Sequence, residues 1–113
     1  MKFKDSEYKA LKVLESKPNI TQRGLALELG LSLGKTHYVL KALIDRGWVK
    51  LENFKRSDKK LGYLYVLTPT GILKKSVLAR NFLEIKIQEY EKLKKEIELL
   101  KKESKENQNL SKS

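Results

Sequence analysis

Apolar residues recur at helical spacing in three segments near the N-terminus, 3–17, 22–29 and about 33–46. Thr21 and Ser32 stand immediately before the second and third segments, where a hydroxyl can accept a hydrogen bond from a backbone N–H group of the first turn. The pattern therefore predicts three helices, with only a short turn between the second and the third. The residues predicted to end these helices are Pro18, Gly30 and Gly47.

Two shorter segments, 48–54 (WVKLENF) and 62–68 (GYLYVLT), are rich in β-branched and aromatic residues and predict β-strands. The polar, basic segment KRSDKKL between them is too long for a two-residue hairpin turn. A helix, a helix–turn–helix and a hairpin together predict a mainly α, winged helix-turn-helix domain with a small β-hairpin wing, residues 1–68. The aromatic strand residues that we expect in the core or covering the sheet are Trp48, Tyr63 and Tyr65.

The remaining residues predict one long C-terminal helix, 69–103, with Thr68 as its cap and Pro69 at its first position. Apart from Pro69 and Gly71, this segment contains no Pro or Gly. A periodic helix longer than about 25 residues is typical of a coiled coil. We therefore predict a dimerisation helix, followed by a polar tail, 104–113, that is disordered.

The composition excludes several kinds of functional site. The chain has no cysteine, which excludes disulfides, thiolate zinc sites, iron–sulfur clusters and cysteine nucleophiles. His37 is the only histidine and no carboxylates cluster, so we predict a protein that is not an enzyme and holds no metal or cofactor. No apolar run is long enough to span a membrane and the charged N-terminal residues do not form a signal peptide, so we expect a cytoplasmic protein.

The formal net charge of +11 favours an anionic partner, and nucleic acid leads acidic lipid and acidic protein as the candidate. Residues 1–68 carry 14 Lys and Arg against 7 Asp and Glu, whereas residues 69–113 carry 11 against 7. The positive charge is therefore concentrated in the predicted winged domain.

The segments LSLGKTHYVLKALIDRGWV and YLYVLTPTG resemble the winged-helix domain of MarR-type bacterial transcription regulators, most closely the small subgroup associated with exopolysaccharide gene clusters. The resemblance covers about residues 5–80. It implies a homodimer on double-stranded DNA, with the third helix in the major groove and the wing beside the backbone. Larger members dimerise through an additional N-terminal helix, whereas this sequence carries one long C-terminal helix. Their ligand pocket is therefore not carried over, and no small-molecule effector is indicated.

The third helix carries the candidate base-contacting residues, because a helix in the major groove contacts bases with its N-terminal part. Gly34 permits close approach of the backbone, and Lys35 can donate to guanine or to a phosphate. Tyr38 lies on the polar side, opposite the predicted core side, whereas His37 is either a base contact or simply exposed. The residues predicted to face the core are Thr36, Leu40, Leu43 and Ile44. The candidate contacts are Ser32, Gly34, Lys35, Thr36 (if it does not face the core), His37, Tyr38 and Lys41.

Two further groups are candidates for contact with the DNA backbone. Gln22 and Arg23 begin the second helix and lie either beside phosphates or in solvent. Residues 55–60, at the tip of the predicted hairpin, carry a surplus of three positive charges, which favours backbone or minor-groove contact. The basic candidates in this wing tip are Lys55, Arg56, Lys59 and Lys60.

The long helix contains an apolar seam. Tyr90 and Ile97 occupy heptad position a, and Leu93 and Leu100 occupy position d. Upstream, Phe82 continues an apolar stripe that packs either on the winged domain or on a partner helix. The seam predicts self-association of two copies.

The flanking charges favour a parallel pair of helices. Glu89 and Glu96 occupy position g and can meet Lys94 and Lys101 at position e of a parallel partner, whereas antiparallel pairing brings like charges together. A two-fold dimer presents two recognition helices and predicts a pseudo-palindromic site with half-sites about 10 base pairs apart, or a multiple of that. The alternative is a protein-interaction module that binds polymerase or another acidic protein surface, and sequence-selective binding of duplex DNA distinguishes the two functions.

Overall fold

The computed structural model describes the backbone of residues 3–55 and 61–112, and the side chains of residues 5–53 and 63–106. The elements are helices α1 (Phe3–Ser16), α2 (Gln22–Leu29) and α3 (Leu33–Asp45), strands β1 (Val49–Lys55) and β2 (Leu61–Leu67), and helix α4 (Pro69–Lys112). They form two compact units, Met1–Ala79 and Arg80–Ser113. The predicted fold, a winged helix-turn-helix with a hairpin wing and a long C-terminal helix, is confirmed.

The first unit is built around the apolar sides of α1, α2 and α3, which pack against one another and against the base of the hairpin. Each helix buries residues three or four positions apart, since this spacing places side chains on one side of a helix. Burial of such aliphatic side chains is worth about 1.5–3 kcal/mol each and is the main source of stability. The buried apolar residues are Ala10, Leu11, Leu14, Leu25, Ala26, Leu29, Val39, Leu40, Leu43, Val49 and Leu78.

The ends of α2 and α3 use the capping residues that the sequence predicted. The Thr21 hydroxyl accepts a hydrogen bond from the Gly24 N–H (3.0 Å), and the Ser32 hydroxyl accepts one from the Lys35 N–H (3.2 Å). Gly30 ends α2 at φ 67°, a left-handed conformation that favours glycine. These caps define the short turn after which α3 begins.

The hairpin is antiparallel, and its register runs from Val49 opposite Leu67 at the base to Lys55 opposite Leu61. Each strand is displaced by one residue from the prediction, and β2 ends at Leu67 because Thr68 caps α4 instead of continuing the strand. Trp48, immediately before β1, and Tyr65 of β2 are half-buried as expected, whereas Tyr63 is exposed and is therefore not a core residue. Tyr63 lies nearer the tip of the wing, beyond the reach of the core.

Charged and aromatic side chains form contacts that link α1, α3 and the start of α4. Glu7 of α1 is buried and accepts a hydrogen bond from the Arg46 guanidinium at the end of α3, which offsets the cost of burying the carboxylate. Arg46 and Lys74 lie over the Trp48 ring, with their charged groups 5.1 and 5.9 Å from its centroid. These contacts fix the base of the hairpin against the helices.

The first turn of α4 approaches the backbone of Trp48 closely. The Thr68 hydroxyl accepts a hydrogen bond from the Gly71 N–H (3.0 Å), and the Thr68 N–H donates to the Trp48 carbonyl oxygen (3.0 Å). A Cβ atom on Gly71 would lie 1.9 Å from that oxygen. This close contact therefore requires glycine at position 71. From the sequence alone, Gly71 is only a residue of weak helix propensity.

In the second unit, α4 is longer than predicted. The sequence predicted an end near residue 103 and a disordered tail at 104–113, whereas the helix continues to Lys112. The tail contains no Gly or Pro, and its Lys, Glu and Gln residues have good helix propensity, so polarity alone does not end the helix. No helix in the described ranges is both long and apolar enough to cross a membrane.

Candidate nucleic-acid interface

Helix α3 has two sides of different chemistry. The predicted core side is buried at Thr36, Leu40 and Leu43 and half-buried at Ile44, and Val39, which the sequence analysis did not include, is buried as well. The other residues of the helix are exposed, except Ala42, which is half-buried. The exposed candidates on and before α3 are Ser32, Gly34, Lys35, His37, Tyr38 and Lys41.

Thr36 is the candidate on α3 that the structure places in the core. Its side chain has 0% exposure, and its hydroxyl donates a hydrogen bond to the Ser32 carbonyl oxygen (2.8 Å). The Thr36 N–H donates to the same oxygen (3.0 Å). A buried hydroxyl whose proton is already used within the first turn cannot contact a base, and this corrects its inclusion among the candidate contacts.

Tyr38 and Gly34 stand out on the exposed side. Tyr38 is 67% exposed, although its ring is among the largest apolar groups of the helix. A Cβ atom added to Gly34 would meet nothing within 4 Å, so the packing of the chain gives no reason for glycine there. Together they present an aromatic ring beside a stretch of backbone that no side chain of this chain covers.

A cavity of about 150 Å³ lies between α3, the start of α2 and the hairpin. It brings three of the predicted site residues together, namely Gln22, His37 and Lys41. Its apolar lining comes from Leu40, Ile44 and Leu51, and Tyr65 completes it. The polar candidates from two helices therefore form one continuous surface with the base of the wing.

The structure describes the side chains of only some candidates for contact with the DNA backbone. Gln22 is half-buried and Arg23 is exposed in the first turn of α2. Lys55 ends β1, but its side chain, like Arg56, Lys59 and Lys60, lies outside the described residues. The wing tip therefore stays a prediction from the sequence.

The seam of α4 is open to solvent along the second unit. The four heptad residues Tyr90, Leu93, Ile97 and Leu100 are all exposed, and Phe82 is half-buried. Leu83 is also exposed and lies seven residues before Tyr90, which extends position a by one heptad. Leu83 was absent from the predicted seam, although heptad spacing alone was enough to find it.

Leu33 is a second residue that the sequence analysis missed. It is the first residue of α3 and is 49% exposed. It was named neither among the residues predicted to face the core nor among the candidate contacts, and the packed structure shows that it is exposed. Among the described residues, no group of three or more His, Asp or Glu side chains is arranged to hold a metal ion.

Comparison with known proteins agrees with this fold. Residues 4–50 match a family model described as winged helix-turn-helix DNA-binding. Similar solved structures include the PcaV transcriptional regulator from Streptomyces coelicolor, at 22% identity and a TM-score of 0.56 over 72% of this chain and 58% of that chain. Staphylococcus aureus MarR, in complex with salicylate and kanamycin, has 16% identity and a TM-score of 0.55 over 73% and 53%. Streptococcus pneumoniae FabT, in complex with DNA, has 21% identity and a TM-score of 0.50 over 74% and 56%.

These comparisons define the class of the chain as a winged helix-turn-helix protein. The chain spans little more than half the length of the solved structures, 53% of the MarR chain and 58% of the PcaV chain. Comparison with curated protein sequences gives no match. The matches named above do not single out the exopolysaccharide-associated subgroup, so that assignment stays a prediction.

Proposed function

We propose that this chain is a transcription regulator that binds double-stranded DNA sequence-specifically, as a homodimer on a pseudo-palindromic site. The observation that carries the proposal is the exposed side of α3, where Gly34 and Tyr38 lie in the N-terminal half of the second helix of a helix–turn–helix. In this fold, that half enters the major groove and contacts base edges.

Positive charge borders this side of α3. Lys35 and Lys41 of α3 and Arg23 of α2 are exposed, and the α3 N-terminus adds the partial positive charge of unpaired N–H groups. The proposal assigns phosphate contacts to these groups, to Ser32 and Gln22, and to the wing tip at 55–60. It assigns base contacts to Gly34, His37 and Tyr38.

A second copy of this chain is the partner that we propose for α4. The seam residues Tyr90, Leu93, Ile97 and Leu100 form an apolar stripe that a single helix leaves in water. The glutamates at position g and the lysines at position e are complementary across a parallel pair, which supports a parallel coiled coil over other partners. A role in an exopolysaccharide gene cluster rests on the sequence resemblance alone.

The test is selection of binding sites from a random pool of DNA duplexes, followed by titration of the selected site and of scrambled duplexes. We expect Tyr38→Ala to weaken binding to the selected site by about 10-fold and to change binding to scrambled duplexes little, because it removes a base contact. We expect Arg23→Ala to weaken binding to every duplex and to reduce the slope of log K against log salt by about 1, because it removes a phosphate contact.

Circular dichroism controls for folding of both variants. Equal effects of the two substitutions on selected and scrambled duplexes would contradict the division of roles. If the wild-type chain selects no sequence at all, the proposed function is wrong, and a protein partner for the basic surface becomes the better hypothesis.

A further inference from the structure

The first turn of α3 exposes an apolar surface at the place where the proposed function expects base contacts. Leu33 is the first residue of the helix and is 49% exposed, so its side chain has substantial area outside the core. Aliphatic side chains gain free energy when they leave water, so a partner that covers Leu33 binds more tightly. A polar side chain at this position would suit solvent better.

The residue that follows removes the steric barrier to such a partner. Gly34 has no side chain, and a Cβ atom built there would meet nothing within 4 Å. Gly24 and Gly71 differ, because a Cβ atom at either lies within 3.0 Å of a neighbouring atom, and Gly30 and Gly47 adopt positive φ. Of these five glycines, Gly34 is the one that neither packing nor backbone conformation explains.

The hydrogen-bonding groups of this turn are partly used within the helix. The Thr36 hydroxyl donates to the Ser32 carbonyl oxygen, and the Ser32 hydroxyl accepts from the Lys35 N–H. Leu33 and Gly34 contribute no polar side-chain atom, so the only side chain that this pair of residues presents is aliphatic. An aliphatic side chain recognises an apolar group, not the hydrogen-bonding atoms of a base edge.

In the major groove of DNA the thymine 5-methyl group is the apolar group that the base pairs present. We propose that the first turn of α3 recognises a thymine 5-methyl group, with Leu33 as the contacting side chain and Gly34 as the position that lets the base edge approach the backbone. This inference rests on the proposed function and names one specificity-determining contact within it.

The test uses deoxyuridine, which differs from thymine only by the missing 5-methyl group. Each thymine of the selected site is replaced in turn, and the affinities of the wild-type chain and of Leu33→Ala are measured by titration. At one thymine in each half-site, we expect the replacement to weaken wild-type binding about fourfold. For Leu33→Ala, we expect no further loss at that position, because the partner of the methyl group is already absent.

Leu27→Ala is the matched control, because Leu27 is 81% exposed on α2 and lies outside the first turn of α3. We expect this variant to keep the fourfold loss at the same thymine. The inference is overturned if the wild-type chain and Leu33→Ala respond alike to deoxyuridine at every position, or if Leu27→Ala also loses the response. Failure of the wild-type chain to select any sequence would refute the proposed function itself and this contact with it.

Discussion

Gly34 and Gly71 look alike in the sequence, since each is a glycine in the first turn of a helix, but the structure gives them opposite surroundings. Gly71 lies against the Trp48 carbonyl oxygen, 1.9 Å from where its Cβ atom would be, whereas Gly34 has nothing within 4 Å of that position. Internal packing therefore requires the missing side chain at Gly71, whereas nothing in the packing of the chain requires it at Gly34.

This difference predicts opposite effects of the same substitution. Gly71→Ala forces the start of α4 away from the base of the hairpin, and we expect it to lower the free energy of unfolding by about 2 kcal/mol. Gly34→Ala is expected to leave the free energy of unfolding unchanged or to raise it by up to about 1 kcal/mol, because alanine has the higher helix propensity. Urea unfolding followed by circular dichroism measures both, and equal losses would contradict the assigned surroundings.

At the scale of the element, α4 offers a direct test of its seam. Leu99 and Leu100 are neighbours with 65% and 62% exposure, and they differ in heptad position: Leu100 lies at d and Leu99 at c. A single helix exposes them almost equally. A coiled coil of two copies buries Leu100 and leaves Leu99 exposed on the outer side of the helix.

We therefore expect Leu100→Asp to raise the Kd of self-association by at least about 100-fold, because it places an unpaired carboxylate in the seam. Leu99→Asp is expected to change that constant by less than about threefold, since an exposed surface position tolerates a charge. Light scattering over a range of concentrations measures both variants. A wild-type chain that stays monomeric, or equal effects of the two substitutions, would contradict the proposed seam.

At the scale of the whole molecule, a homodimer carries two copies of α3, so its affinity for DNA depends on engaging two half-sites at once. This effect adds affinity without any new contact. It also makes the distance between half-sites as important as their sequence.

Two consequences follow for the selected DNA site. Inserting about 5 base pairs between its half-sites turns one of them to the opposite side of the duplex. We expect this to weaken binding more than inserting about 10 base pairs, which returns both half-sites to the same side.

Leu100→Asp is expected to bind the full site no more tightly than a single half-site, whereas Leu99→Asp keeps the full affinity. A selected site without two related halves would contradict the dimeric arrangement.

Local rules accounted for much of the fold. The caps at Thr21 and Ser32 and the left-handed Gly30 follow from hydrogen bonding and backbone sterics within a few residues, so the pattern of the chain was enough to place the first three helices. The exposed side of α3 followed from its 3.6-residue period in the same way. The predicted end of α4 was wrong because polar composition was taken as a stop signal, although the chain has no Gly or Pro between Ile72 and Lys112.

The sequence by itself therefore determined the order of the elements, the two sides of α3 and the heptad pattern of α4, because each depends on local periodicity. Only the tertiary structure decided which residues of similar type are buried and which are open. It decided between the two roles left open for Thr36 by placing it in the core, it left Leu33 at the surface, and it explained Gly71 by the backbone of Trp48, more than 20 residues away. These outcomes depend on contacts between distant segments, which the spacing of residues along the chain does not record.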